Sequence, residues 1–140
     1  MPIEIKDLDG GIGVLITASD PLEEKEYVDA LRKHLTQGKA KFRRYRYTLI
    51  DYTGLTKVNV SSNAIQQVAD MCKIAAIDNS EIIIGISAPK DVVYGMSRMS
   101  QIMMDATGWE HEVFRKRKNA EDWIKERVRA KFGIGDLTMA

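Results

Sequence analysis

Glu81-Ile82-Ile83-Ile84-Gly85-Ile86 decides how this chain folds. Four isoleucines fall in five positions with no polar residue among them. A strand with one wet face alternates apolar and polar residues. A run without alternation is covered on both faces, as strands of a parallel sheet are. Parallel neighbours need crossover connections, so helices are expected on either side of the run.

They are legible there. Upstream, Ser61 or Ser62 can cap a helix whose Ile65, Val68, Ala69, Cys72, Ala75 and Ala76 share one face. Before it, Tyr47 to Asp51 reads as a strand. Downstream, a helix over about Asp91 to Ala106 carries Val92, Met96, Met99, Met103 and Ala106 on a stripe, and Gly108 ends it. Glu112 to Arg115 is a short strand, and Ala120, Trp123, Ile124, Val128 and Phe132 mark a last helix face. Towards the N-terminus, Asp20-Pro21-Leu22-Glu23 reads as a helix start. Asp20 is the cap, Pro21 the first helical residue, and Glu23 the residue three after the cap. Tyr27, Val28, Leu31 and Leu35 continue that helix to Gly38. Residues 3–17 form an antiparallel hairpin, Ile3 to Leu8 and Ile12 to Thr17, about the turn dipeptide Asp9-Gly10. The expected fold is a single α/β domain over 1–132. It has a mixed sheet of about five strands, the first antiparallel, and about four helices. Residues 133–140, with Gly133 and Gly135, are expected to fray.

Composition narrows the function classes. Of 140 residues, 44% are apolar and 29% charged, which excludes a disordered chain. Twenty-one basic residues against 20 acidic leave a net charge of +1, so no global field draws the protein to nucleic acid or an anionic membrane. One cysteine excludes an internal disulfide and a multi-cysteine metal site. No leader is visible, and no apolar run approaches the roughly 20 residues that cross a bilayer, so the cytoplasm is the expected location. No cofactor and no metal are expected. Gly10-Gly11-Ile12-Gly13 sits in a hairpin turn and opens no helix; Gly38-Lys39-Ala40 lacks the hydroxyl of a phosphate loop; no Gly-x-Ser-x-Gly occurs. His34 reads as a helix-end residue whose partial positive charge suits the local dipole, His111 as a surface histidine, and Cys72 as a small buried hydrophobe.

Four segments are candidates for function. The first runs from Asp51 through Thr53-Gly54 to Ser61-Ser62-Asn63. It leaves the carboxyl end of a strand and enters a helix, where free amides and the dipole favour an anion or a phosphoserine. The second is Lys39-Ala40-Lys41-Phe42-Arg43-Arg44-Tyr45-Arg46-Tyr47, with five basic and three aromatic residues in nine positions. It fits a solvated, charge-protected edge or a solvated loop better than a nucleic-acid groove. The third, Arg115-Lys116-Arg117-Lys118, is a solvated turn that could merge with the second. The fourth is Ala88-Pro89-Lys90 through Tyr94, where Lys90 and Arg98 could hold an anion or Arg98 could pair with Asp51.

The run Asp51-Tyr52-Thr53-Gly54-Leu55 … Ser61-Ser62 resembles the Asp-x-Ser/Thr-Gly-Leu/Val … Asp-Ser-Ser-Gly stretch of STAS domains, the sulfate-transporter and anti-sigma-factor-antagonist family. Tyr94-Gly95-Met96-Ser97-Arg98 and Phe114 … Ala120-Glu121-Asp122-Trp123-Ile124 resemble a bacterial STAS/SEC14-type (SpoIIAA-like) branch of largely unassigned function. The resemblance spans about residues 3–128. It implies a βα superhelical fold and a non-enzymatic regulatory module, with a phospho-acceptor at Ser62, or Ser61 in the shifted register. The family's aspartate before the serines is replaced by Val60 or Asn59, and its glycine by Asn63.

Two functions follow as expectations. One is a regulatory or protein-interaction module using Asp51, Thr53, Gly54, Ser61, Ser62, Asn63, Lys90, Tyr94 and Arg98. The other is a SEC14-like carrier of an apolar or lipid-like ligand, lined by the Met-rich helix, on which Met104 lies off the core stripe and marks an exposed face suited to a homodimer or an apolar ligand. An enzyme is not expected, because no nucleophile, base and orienting group stand together.

Overall fold

A computed structural model describes residues 3–140. In chain order the elements are β1 Ile3–Leu8, β2 Gly13–Ala18, β3 Leu22–Glu23, α1 Glu24–Leu35, α2 Lys39–Phe42, β4 Tyr47–Asp51, β5 Val58–Asn59, α3 Ser62–Ala75, β6 Ile83–Ser87, α4 Asp91–Met103, β7 Glu110–Phe114 and α5 Arg117–Phe132. The main sheet runs β1-β2-β4-β6-β7, with β1 antiparallel to β2 and every other pair parallel. The fold is therefore α/β with a mixed sheet, as the isoleucine run requires.

The strand order advances in one direction. Helices α1, α3 and α4 consequently share one face, over Val14, Ile16, Ile84, Ile86 and Val113. The opposite face, with Leu15, Leu49 and Ile83, packs on Ala120, Ile124 and Val128 of α5. That helix comes close because residue 85 is glycine: a Cβ there would lie 2.8 Å from Ile124 and 3.3 Å from the Ala120 carbonyl. The strand order never reverses, so the switch-point crevice expected of a doubly wound sheet does not form.

The α3 stripe is buried throughout, as its period requires, and each larger side chain contributes about 2 kcal/mol by leaving water. The α4 stripe is corrected. Val93, Met96, Ser97 and Met104 are buried, whereas Val92 and Met99 are exposed. Methionines on both sides of the helix blur its period, so composition could not choose the face. Met104, read as exposed, is 5% exposed and lies in the core.

The start of α1 is also corrected. Asp20 does not cap it. Its carboxylate accepts from the Thr56 amide (2.6 Å), the Lys57 amide (2.8 Å) and the Thr56 hydroxyl. Leu22–Glu23 instead pairs with Val58–Asn59, and Glu23 takes the cap position without a side-chain bond to the helix, its carboxylate accepting from Asn59 Nδ2 at 3.0 Å. Donors from a distant loop outcompete the local cap, which no neighbouring residue foretells.

The basic run is not a sheet edge, although Lys39, Lys41, Arg43 and Arg44 are solvated in a short helix and turn. Tyr47 opens β4, which lies between β2 and β6, and Phe42, Tyr45 and Tyr47 are buried. Their rings offer no face for stacking bases. Arg43 to Arg46 lie at the start of β4, whereas Arg115 to Lys118 follow the end of β7. With β4, β6 and β7 parallel, the two clusters sit at opposite ends of the strands and do not merge. Residues 133–140 form no helix or strand, yet they are docked. Asp9 accepts from the Thr138 amide (2.8 Å), the Thr138 hydroxyl (2.8 Å), the Met139 amide (3.1 Å) and the Tyr47 hydroxyl. Met139 is buried beside Leu8.

Candidate functional site

Asp51 ends β4 and is the hub of the carboxyl edge. It accepts from the Thr53 amide (2.9 Å) and hydroxyl, the Ser87 hydroxyl (3.0 Å) and Arg117 Nη1 (2.9 Å), and Arg117 also reaches Glu121 at 2.8 Å. Burial pushes the Asp51 carboxyl up, but the bonds from Thr53, Ser87 and Arg117 outweigh it and hold it below its ordinary value. The cationic partner of Asp51 is thus Arg117, from the run read as a solvated turn, rather than Arg98. Arg98 is exposed, and among the described residues its one hydrogen bond is to Gln101, three residues along α4 (3.2 Å). Asp51 has its acceptor capacity filled, so it serves architecture. Gly54 is exposed in the turn between Thr53 and Leu55.

Ser61 is the N-cap of α3, its hydroxyl accepting from the Ala64 amide at 3.2 Å. The anion place beside it is taken. Glu24, in the first turn of α1, accepts the Ser61 amide at 2.9 Å, and the Ser61 hydroxyl and amide hold its carboxyl below the ordinary value. Ser62 and Asn63 are exposed on the first turn of α3. Glu24 escaped the sequence reading because its partner is 37 residues away. On the fourth segment, Lys90 is exposed at the start of α4. The Arg115 guanidinium stacks over the Tyr94 ring at 4.0 Å and binds Asp91 (2.7 Å) and the Pro89 carbonyl (3.1 Å). The nine rim residues therefore fall into three local groups rather than one site.

A second site was not legible as residues. Between the sheet and α1, α3 and α4 lies a cavity of about 60 Å³. The sheet lines it with Ile16, Ile50, Ile84 and Ile86; α3 adds Val68 and Cys72, and α4 adds Met96 and Met104. Tyr27 and Leu31 of α1 close one wall, with His34, Phe42 and Trp109 towards the strand starts. Hydroxyls of Tyr27, Thr48, Tyr52, Ser97 and Ser100 are the polar contributions. Burial drives the His34 imidazole down to about 4, so at neutral pH it carries no charge for the helix dipole. The ring stacks on Tyr45 at 5.7 Å, and Nδ1 lies 3.2 Å from Gln37 Nε2. Burial pushes the Cys72 thiol up to about 12, consistent with a packing residue. His111 is corrected from a surface residue. Its Nε2 is buried without a partner, and burial lowers its pKa.

Among the described residues, no helix is long and apolar enough to cross a membrane, and no group of three or more His, Cys, Asp or Glu could hold a metal. Compared with protein-family models, with curated proteins and with solved structures, the chain finds no match.

Proposed function

We propose that the protein is a non-catalytic binding module that takes a small, mainly apolar ligand into the cavity beneath α1, α3 and α4. One observation carries the reading. Protein interiors pack densely, yet an apolar space with a few convergent hydroxyls is kept open at the centre of this domain. The lining includes two methionines, whose unbranched side chains adjust to an occupant. Of the functions expected from sequence, this is the carrier reading. Xenon tests it, because it enters apolar cavities without needing a polar contact. Under xenon pressure, methyl NMR signals of Val68, Ile84 and Met96 should shift saturably, while those of Val128 and Leu15 on the α5 face stay still. Equal shifts on both faces, or none, would remove the reading.

The regulatory module with a STAS-like resemblance is the second reading, and it narrows to Ser62. A phosphoryl group on Ser61 would meet the Glu24 carboxylate, whereas the exposed Ser62 hydroxyl lies in the first helical turn. Phosphopeptide mass spectrometry on protein isolated from its native cells should then place phosphate on Ser62 and not Ser61. Phosphate on Ser61, or on neither serine, counts against it.

A further inference from the structure

A polar atom in the cavity lining is both buried and uncommitted. Ser97 Oγ lines the cavity, the residue is 1% exposed, and the hydroxyl has no hydrogen-bond partner among the described residues. Buried hydroxyls are almost always paired, since leaving water without a replacement bond is costly. A serine at this place on α4 therefore needs a reason, and an absent occupant supplies it.

The charge state of the lining restricts that occupant. No Asp, Glu, Lys or Arg is among the lining residues. Burial lowers His34 to about 4, raises Cys72 to about 12 and raises both Tyr27 and Tyr52, so every titratable group there is neutral at pH 7. An ionised ligand would lose its hydration and meet no counter-charge.

We infer that the occupant is a small uncharged, mainly apolar molecule carrying a hydroxyl or carbonyl group, which the Ser97 hydroxyl hydrogen-bonds. This rests on the cavity being a binding site and adds the ligand's chemistry. The hydroxyl of Ser97 both donates and accepts, so it serves either polar group.

The test is an NMR titration of the full chain with 1-hexanol, n-hexane and hexanoate at pH 7.5, in the wild type and in Ser97→Ala. Wild type should bind 1-hexanol saturably, with shifts at Val68, Ile84 and Met96, and bind hexanoate at least tenfold more weakly. Ser97→Ala should weaken 1-hexanol about tenfold while leaving n-hexane within about twofold, because only the alcohol is stranded without a partner. The variant loses no existing hydrogen bond, so its melting temperature should not fall, and this measurement checks its folding. Equal affinity for hexanoate, or a 1-hexanol affinity unmoved by Ser97→Ala, overturns the assignment of ligand class and leaves the cavity reading intact. Binding of n-hexane without 1-hexanol does the same. If neither hexane, hexanol nor xenon enters, both fall together.

Discussion

Gly13→Ala is expected to lower stability by about 3 kcal/mol, at the upper end of overpacking costs, and the melting temperature by roughly 10 °C. Gly13 pairs directly with Tyr47 on the neighbouring strand, and the tyrosine ring lies over it. A Cβ at residue 13 would stand 2.1 Å from Tyr47 Cζ. The ring cannot swing aside cheaply. It is fully buried, and its hydroxyl donates to Asp9. Urea denaturation of the variant measures the cost. A double-mutant cycle with Tyr47→Leu identifies the cause. Each single change destabilises, but the pair should fall short of their sum by more than about 1 kcal/mol, since the second substitution removes what the first collides with. Additive losses would mean that Gly13 is needed for some other reason.

Acid should weaken the fold well before its carboxylates titrate, through His34. The folded-state pKa of about 4 lies below the ordinary 6.5 because burial disfavours the imidazolium. Between those values the unfolded chain holds a proton that the folded chain refuses. The contribution is therefore complete above pH 6.5 and is lost as pH falls towards 4, amounting to about 3 kcal/mol over the whole interval at 1.36 kcal/mol per unit. The charged neighbours Asp7 and Lys41 act in opposite directions on it, after desolvation. Unfolding free energies should drop by about 2 kcal/mol from pH 7 to pH 5. His34→Gln should flatten most of that slope, with a residue left to His111, which burial also depresses. The carboxylates of Asp9 and Asp51 are held below their ordinary values, so their stabilisation is present above that range and disappears only at lower pH. Parallel slopes in wild type and variant would refute the assignment to His34.

Period and alternation made the architecture readable. The isoleucine run, the α3 stripe and the Asp9-Gly10 turn are local signals, and each stands where its spacing puts it. What failed was long-range. Asp20 looks like a cap until Thr56 and Lys57 arrive with three donors. Arg117 looks solvated until β4 and α5 bring it to Asp51, 66 residues away. The aromatic-basic run looks like an edge because alternation says which side chains point inward and nothing about which strand is central. Of the candidate site, the Ser61 cap was legible, whereas the anion place beside it was already filled by Glu24. The cavity was hinted at only by four methionines on one helix, since a void is a property of packing and has no residue of its own.

Asp9 joins the hairpin turn, the middle strand and residues 138 and 139. During translation this knot cannot be tied until residue 139 has cleared the ribosome, however early the hairpin pairs. Until then Leu8 and Tyr47 lack the cover that Met139 provides, so a nascent chain that has already made the hairpin and β4 displays an apolar flank. Residues 138 and 139 act as the latch that withdraws that flank from chaperones.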